Sequence, residues 1–173
     1  MKKNIKKSLF IFSILFLICV LDIGCEKNNK SESLSMELGI DLSQGEIESD
    51  LDTHEGPLGD GIKLKVVHFK NDSITDEIKK SSVWKPLPLS EELAIIVYGG
   101  LNHGCYIESL IASDENGMTI PKIDKGYYYF KDRHFESTDS QSEVGILDRP
   151  SYNFTIAMYD SDSRILYFCE VDT

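Results

Sequence analysis

The stretch YNFTIAMYDSDSRILYFCEVD, residues 152–172, decides the fold of this 173-residue chain. Large apolar side chains recur at every second position on both sides of a central polar run, which is the pattern of β-strands that bury a face. The polar run at residues 160–163 is typical of a tight turn. The sequence therefore predicts an antiparallel hairpin at the carboxyl end of the chain.

Two short helices are predicted between residues 70 and 100. Ile74 and Ile78 are four residues apart, and the lysines that follow them suit the last turn of a helix. Ser90 is a good N-cap for a second helix, which the glycines after residue 98 end. Residues 83–89 lie between the two and contain two prolines, so they are expected to be extended.

Further strands are predicted around these helices. Residues 62–68 alternate as a first strand, residues 105–112 are extended, and residues 114–117 carry the Asn-Gly signal of a second hairpin. Residues 127–130 form a strand that is aromatic on both faces, followed by a polar loop over 132–148. The elements together predict an α+β fold, an antiparallel sheet of about five or six strands with two short helices against one face.

The first 25 residues carry a targeting signal. Four lysines in the first seven residues precede an apolar run at 9–21, which is too short to cross a bilayer but fits a secretory signal peptide. The run ends at Gly24-Cys25, which resembles the lipobox of bacterial lipoproteins, although Asp22 stands where an aliphatic residue is usual. The resemblance implies that residues 1–24 are removed and that Cys25 is acylated. The alternatives are an ordinary signal peptide and an uncleaved anchor.

The negative net charge of the chain limits which classes of partner are expected. The formal net charge is -11, and it becomes -14 without residues 1–24, which carry four lysines and one aspartate. So acidic a chain is a poor match for nucleic acid or for anionic lipid headgroups, so neither partner is expected. A lipid anchor needs no basic residues, because each buried methylene contributes about 0.8 kcal/mol. The expected location is the outer face of the cytoplasmic membrane.

Much of the negative charge precedes residue 61. Residues 25–60 are predicted to form an acidic flexible tether, and residues 61–173 a single α+β domain. The tether is interpreted as a spacer that holds the domain away from the membrane. The alternative is an acidic arm that docks a basic partner.

Two polar clusters are candidate ligand-binding sites. The first is the glycine-rich stretch with Asp52, His54 and Asp60, which could hold a cation or a polar ligand. The second is Asp132-Arg133-His134, which could bind a carboxylate or a phosphate. Local turn bonding and a strand-end ion pair explain both clusters more simply. Without a catalytic motif or metal-ligand spacing, we expect no catalytic residue, no metal and no cofactor.

The remaining cysteines of the processed chain are Cys105 and Cys169. Outside the cytoplasm they could form a disulfide. The alternative, which the sequence favours slightly, is two free thiols, with Cys169 buried beside apolar neighbours.

Several motifs together resemble small uncharacterised lipoproteins of Gram-positive (Firmicutes-type) bacteria. They are Asp-Thr-His at 52–54 with Gly-Asp-Gly at 59–61, residues 84–89 and 126–134, and Asn-Phe-Thr-Ile-Ala at 153–157 with the ending Asp172-Thr173. The similarity covers residues 52–173 and implies location and domain extent, not an activity. Those relatives tend to have Gly-Phe-His where this chain has Pro57-Leu58 before Gly59, which puts a metal site in doubt.

Three function classes follow. The first is a non-enzymatic, membrane-anchored module that binds a protein or an envelope component. The second is an immunity or inhibitor lipoprotein, whose negative charge would steer it to a basic toxin. The third is a small hydrolase or metal-dependent enzyme that uses Asp52, His54, Asp60 and His134. The acidic tether, the aromatic sheet and the lack of a catalytic motif favour the first.

Overall fold

The carboxyl-terminal hairpin lies near the middle of a six-stranded sheet. The computed structural model describes residues 31–54, 59–111, 119–134 and 139–173. The strands of the chain are β1 (Gly45–Asp52), β2 (Gly61–Phe69), β3 (Trp84–Pro86), β4 (Gly100–Asn102), β5 (Cys105–Ile107), β6 (Gly126–Asp132), β7 (Asn153–Asp160) and β8 (Ile165–Asp172). The main sheet has the order β1-β2-β8-β7-β6-β3 and is antiparallel throughout. The predicted α+β class and antiparallel sheet are confirmed.

The two predicted helices are α1 (Ser73–Lys80) and α2 (Glu91–Tyr98). Ser90 caps α2 as predicted, since its hydroxyl accepts a hydrogen bond from the Leu93 backbone N–H at 3.3 Å. The glycine after the helix, Gly99, has a positive φ of 76° and ends it. These boundaries were set by local sequence signals, and the structure confirms them.

The expectation that both helices cover one face of the sheet is wrong. Leu93 and Ile96 of α2 pack on the face that carries Phe154 and Ile156. On α1, the Thr75 hydroxyl donates to the Tyr159 hydroxyl at 3.3 Å. Successive side chains of a strand point to opposite faces of the sheet, so Tyr159 points away from the face that carries Phe154 and Ile156. The central strand β7 is buried from residue 154 to 159, on both faces. Because each face is apolar, each one requires a cover.

The core on the α2 face is continuous from the sheet into the loops. It is built from buried side chains of β2, β6, β7, β8 and α2, joined by apolar residues of the connecting segments: Leu64, Leu93, Ile96, Val97, Ile111, Ile120, Ile123, Tyr128, Phe130, Ile146, Phe154, Ile156, Met158, Cys169 and Val171. On the opposite face, Trp84 packs against Tyr129 with ring centroids 5.9 Å apart. Trp84 is therefore a buried core residue.

The predicted tether over 25–60 is wrong for residues 45–52, which form the edge strand β1. Opposite β1, β2 places Lys63 beside Asp52 and Lys65 beside Asp50. The buried Lys65 ammonium lies 2.5 Å from an Asp50 carboxylate oxygen. The acidic composition suggested a solvated spacer, but lysines from a distant part of the sequence balance it across the strand pair.

Residues 31–43, the described part of the chain before Gln44, belong to a separate unit that ends at Ser43. Within it, residues 31–38 are helical, which also departs from the predicted tether. The Ser35 hydroxyl donates to the Ser31 carbonyl at 2.8 Å and accepts from the Leu42 backbone N–H at 3.0 Å. The segment after the helix therefore folds back along it.

The segment after α2 is less extended than predicted. Of the predicted extended stretch 105–112, the described part is 105–111, and residues 105–107 of it form the strand β5, which pairs with β4 through a turn at His103-Gly104. The predicted Asn-Gly hairpin at 114–117 lies outside the described residues. In the polar loop after β6, residues 146–148 form a short 3-10 helix, Ile146–Asp148.

Among the described residues, no helix is long and apolar enough to cross a membrane.

Cys105 and Cys169 are free thiols, so the disulfide that the sequence left open is not formed in this structure. Cys105 is exposed in the small β4–β5 hairpin, whereas Cys169 is buried in the middle of β8. Burial raises the pKa of the Cys169 thiol, which keeps it protonated and unreactive.

Candidate functional site

Polar residues predicted as ligand-binding candidates gather where several strands of the main sheet end. Asp52 is the last residue of β1, Asp132 the last of β6 and Asp172 the last of β8. The register pairs Asn153, the first residue of β7, with Asp172. Antiparallel pairing therefore brings distant parts of the sequence together at one end of the strands. We call these residues the strand-end cluster: Asp52, His54, Asp132, Arg133, His134, Arg149 and Asp172.

His54 lies between two carboxylates. Its Nδ1 is 2.6 Å from an Asp52 oxygen, and its Nε2 is 3.1 Å from an Asp172 oxygen. Burial works against the charged ring, but the hydrogen bonds to Asp52 and Asp172 outweigh it and raise the pKa of His54. Burial would also raise the pKa of Asp52, yet the hydrogen bonds from His54 hold it below its ordinary value. Both shifts favour an ion pair between the protonated His54 ring and the Asp52 carboxylate.

Asp172 is the residue at the centre of this network, and it is not among the residues predicted from the sequence. The Arg133 guanidinium contacts both of its carboxylate oxygens, at 3.0 and 3.1 Å, and also donates to the Phe154 carbonyl at 3.1 Å. The sequence carries one signal for Asp172, since it is an acidic residue at the end of the strand predicted most clearly. Without the pairing register of the strands, however, the sequence does not show that Asp172 lies beside His54 and Arg133.

Asp132 and His134 form the neighbouring part of the cluster. The Asp132 side chain is 1% exposed, accepts from the His134 backbone N–H at 3.0 Å and lies 2.7 Å from the Arg149 guanidinium. His134 is buried, with its Nε2 3.4 Å from the Ser151 hydroxyl. Asp60 is exposed, and none of the contacts between described residues joins it to the cluster.

The geometry favours a structural role for the strand-end cluster. A general base needs a ring nitrogen that can reach a substrate proton, and both nitrogens of His54 already face carboxylates. The Arg133 fork is likewise held by Asp172 and a backbone carbonyl. Over the described part of the chain, no group of three or more His, Cys, Asp or Glu side chains is placed to hold a metal.

The pH dependence of stability tests this network. A raised pKa of His54 stabilises the fold fully below about pH 6.5, the value of an unfolded histidine, and this contribution is lost as the pH rises through the folded value. The lowered pKa of Asp52 acts at the acid end, where stability is lost as the pH falls. We expect His54→Gln to lower the free energy of unfolding by about 1 kcal/mol at pH 6 and by less at pH 9.

Urea unfolding at the two pH values, followed by the fluorescence of the single tryptophan, measures this difference. His68→Gln, which removes an exposed histidine of β2, is the control. An equal loss at both pH values in His54→Gln would show that the ring contributes packing and not charge.

A second candidate site, which no sequence motif indicates, lies beside α2. A groove of about 600 Å³ runs beside the helix and is lined by Leu87, Pro88, Leu89, Glu91, Ala94, Ile95, Tyr98, Gly99, Leu101, Lys122, Ile123 and Asp124. A second groove, of about 520 Å³, is lined by Ser90, Glu91, Glu92, Ile95, Leu101, Asn102, His103, Glu143, Val144 and Leu147. Glu91, Ile95 and Leu101 line both grooves and therefore separate them.

Two large exposed apolar side chains, Leu101 and Val144, line these grooves, and a third, Tyr106, lies next to Leu101. Leu101 and Tyr106 face each other across the β4–β5 pair and are each 68% exposed, and Val144 is 82% exposed. We call these three residues and the two grooves the hairpin surface. Apolar patches that stand out in this way are typical of sites that bind another molecule.

The loop beside the second groove is fixed by partly buried polar contacts. Glu92 accepts hydrogen bonds from the backbone N–H groups of Gly145 and Ile146, the latter at 3.1 Å. Glu143 lies 2.5 Å from the Lys85 ammonium and accepts from the Tyr128 hydroxyl at 3.1 Å. Burial, together with the Glu143 charge, raises the pKa of Tyr128 to about 12, so this hydroxyl remains a donor.

Comparison with known proteins gives no relative from which to transfer a role. No family model, no curated protein and no solved structure matches the chain. The candidate sites rest on their own geometry.

Proposed function

We propose that the chain is an extracytoplasmic lipoprotein, anchored on the outer face of the cytoplasmic membrane through an acylated Cys25, that binds a partner without catalysing a reaction. The observation that carries the binding role is the hairpin surface, which exposes Leu101 and Tyr106 beside two grooves. The strand-end cluster supports the non-enzymatic part of the proposal, because its ionisable side chains hold one another.

Support for the anchor comes from the amino-terminal sequence. The lysine-rich start, the short apolar run and Gly24-Cys25 occur in the order of a lipoprotein signal. Two acyl chains on Cys25 would bind the membrane stably, although the remaining chain carries a charge of -14.

Intact mass of the membrane-extracted protein tests the anchor. We expect the wild-type chain to lack residues 1–24 and to carry the added mass of fatty acyl groups. Cys25→Ser is expected to lose the acyl mass completely and to keep residues 1–24, because the acylated sulfur is what the processing pattern requires. Cys105→Ser is the matched control and should be processed as wild type. A wild-type chain that still begins at Met1, or that is cleaved but not acylated, contradicts the anchor.

A second candidate function is an immunity or inhibitor lipoprotein against a basic toxin. The exposed carboxylates of Glu91 and Asp124 at the first groove favour it, because they would attract a positively charged protein. A toxin gene next to the gene for this chain, whose growth inhibition is relieved by co-expression, would distinguish this role from a general envelope-binding role.

A further inference from the structure

We infer that the hairpin surface docks a segment of a partner protein that combines apolar side chains with lysine or arginine residues. This inference rests on the proposed binding role and specifies its site and the chemistry of its partner. Two features of the surface point to that chemistry: its shape and its charge.

The shape of the surface fits an extended or helical segment of a partner polypeptide. Leu101 lines both grooves and forms a ridge between them, with most of its side chain in water. A segment that crosses the ridge can place apolar side chains into the groove on either side. Tyr106, opposite Leu101, extends the ridge with an aromatic side chain of the type enriched at protein interfaces.

The surface is already held in its binding shape. The Ser109 hydroxyl donates to the Val97 carbonyl at 2.7 Å, and the Leu110 backbone N–H donates to the Ile96 carbonyl at 2.9 Å, which fixes the segment after the hairpin against α2. On the other side, the Tyr98 hydroxyl donates to the Pro121 carbonyl at 3.2 Å. A partner would therefore not have to order these elements when it binds.

The charge selects a basic partner over the other possible occupants. Glu91 and Asp124 are exposed at the first groove, where Lys122 is the one cation among the lining residues. A second copy of the processed chain would bring another net charge of -14, and like charges at an interface repel. Anionic lipid headgroups would be repelled for the same reason. A protein segment with cationic side chains meets complementary charge at the rim.

A defined peptide probe tests the inference. The processed protein is reconstituted in phosphatidylcholine vesicles and titrated with a fluorescent 14-residue amphipathic peptide of leucine and lysine, with protein-free vesicles as background. We expect saturable binding that weakens with salt and is absent for a peptide with serine in place of leucine. Leu101→Ser with Tyr106→Ser is expected to weaken binding at least about tenfold, because interface energy concentrates in a few buried apolar anchors.

Matched variants separate the surface from general effects. Met36→Ser removes another exposed apolar side chain, and Glu46→Gln with Glu48→Gln removes two exposed charges on β1; both should bind as wild type. Glu91→Gln with Asp124→Asn should weaken binding about threefold and reduce its salt dependence, since each exposed charge pair contributes little. Unchanged binding in Leu101→Ser with Tyr106→Ser, or an equal loss in the β1 variant, would overturn the inference.

Two further measurements locate the contact and exclude a lipid. Cys105, next to Tyr106, is exposed, so the bound peptide should slow its modification by a maleimide, while the buried Cys169 stays unmodified throughout. If Cys105 reacts at the same rate with and without saturating peptide, the binding site lies elsewhere. Hairpin-dependent binding to phosphatidylglycerol vesicles would replace the protein partner with a membrane. Intact mass on the same sample reports the anchor separately, and an unacylated chain is assayed without vesicles.

Discussion

Asp132→Ala is expected to lower the free energy of unfolding by about 3 kcal/mol, at the lower end of the cost of breaking a buried ion pair. The Asp132 side chain is 1% exposed and holds both the Arg149 guanidinium and the His134 backbone N–H. Removing the carboxylate leaves the N–H group without this acceptor and the guanidinium without this counter-charge. Arg149 itself is 23% exposed, so water compensates part of the loss.

Urea unfolding monitored through Trp84, the single tryptophan, measures the change. Asp60→Ala is the matched control, because Asp60 is an acidic residue of the other predicted cluster and is exposed. It should leave the midpoint unchanged. If Asp132→Ala is as stable as wild type but loses binding of a ligand, the strand-end cluster is a binding site and its structural interpretation fails.

Gly126→Ala is expected to destabilise the protein by about 3 kcal/mol, the upper end of the usual cost of overpacking. A Cβ atom at this position would lie 1.8 Å from the Tyr159 carbonyl oxygen and 2.9 Å from its carbonyl carbon. Both neighbours are backbone atoms of β7, so no side-chain rotation can relieve the overlap. The first residues of β6 would have to separate from β7, at the end of a strand pair that crosses the core.

Gly104→Ala is the matched control for this effect. Gly104 has a φ of +83° in the turn of the β4–β5 hairpin, and a Cβ there would meet no atom within 4 Å. Its substitution should cost only the backbone term, about 1 kcal/mol. Thermal unfolding of the two variants separates the cost of the overlap with β7 from the cost of the backbone conformation. Equal losses of stability in the two variants would show that backbone conformation, not the close approach of β7, restricts Gly126.

These substitutions also separate the two candidate sites. Asp132→Ala and Gly126→Ala act on the main sheet, whereas Leu101 and Tyr106 lie on the small hairpin. Below its melting temperature, Asp132→Ala is therefore expected to keep the peptide affinity of the wild type. Gly126→Ala is not used for this comparison, because the Gly126 carbonyl accepts from the backbone N–H of Leu87, which lines the first groove. The hairpin variants are expected to keep its stability and lose its affinity.

Local patterns in the sequence were sufficient for the elements that depend on neighbouring residues. The alternation in residues 152–172 predicted β7 and β8, and Ser90 and Gly99 marked the ends of α2. Such signals act within a few residues along the chain, so they can be recognised without knowing the fold. The chemistry of Cys25 and the predicted signal peptide are likewise properties of a short segment.

Contacts between distant residues decided the rest. Asp50 lies in an ordered strand because Lys65 neutralises it, and Asp172 became the centre of the strand-end cluster because the register brings it to Arg133 and His54. Local periodicity and capping were enough to locate the carboxyl-terminal hairpin and the helices α1 and α2, because these signals lie within each segment. They were not enough for β1, for the faces that the helices cover, for the charges that meet or for the apolar side chains that stay in water, because these depend on pairing between segments far apart in the chain.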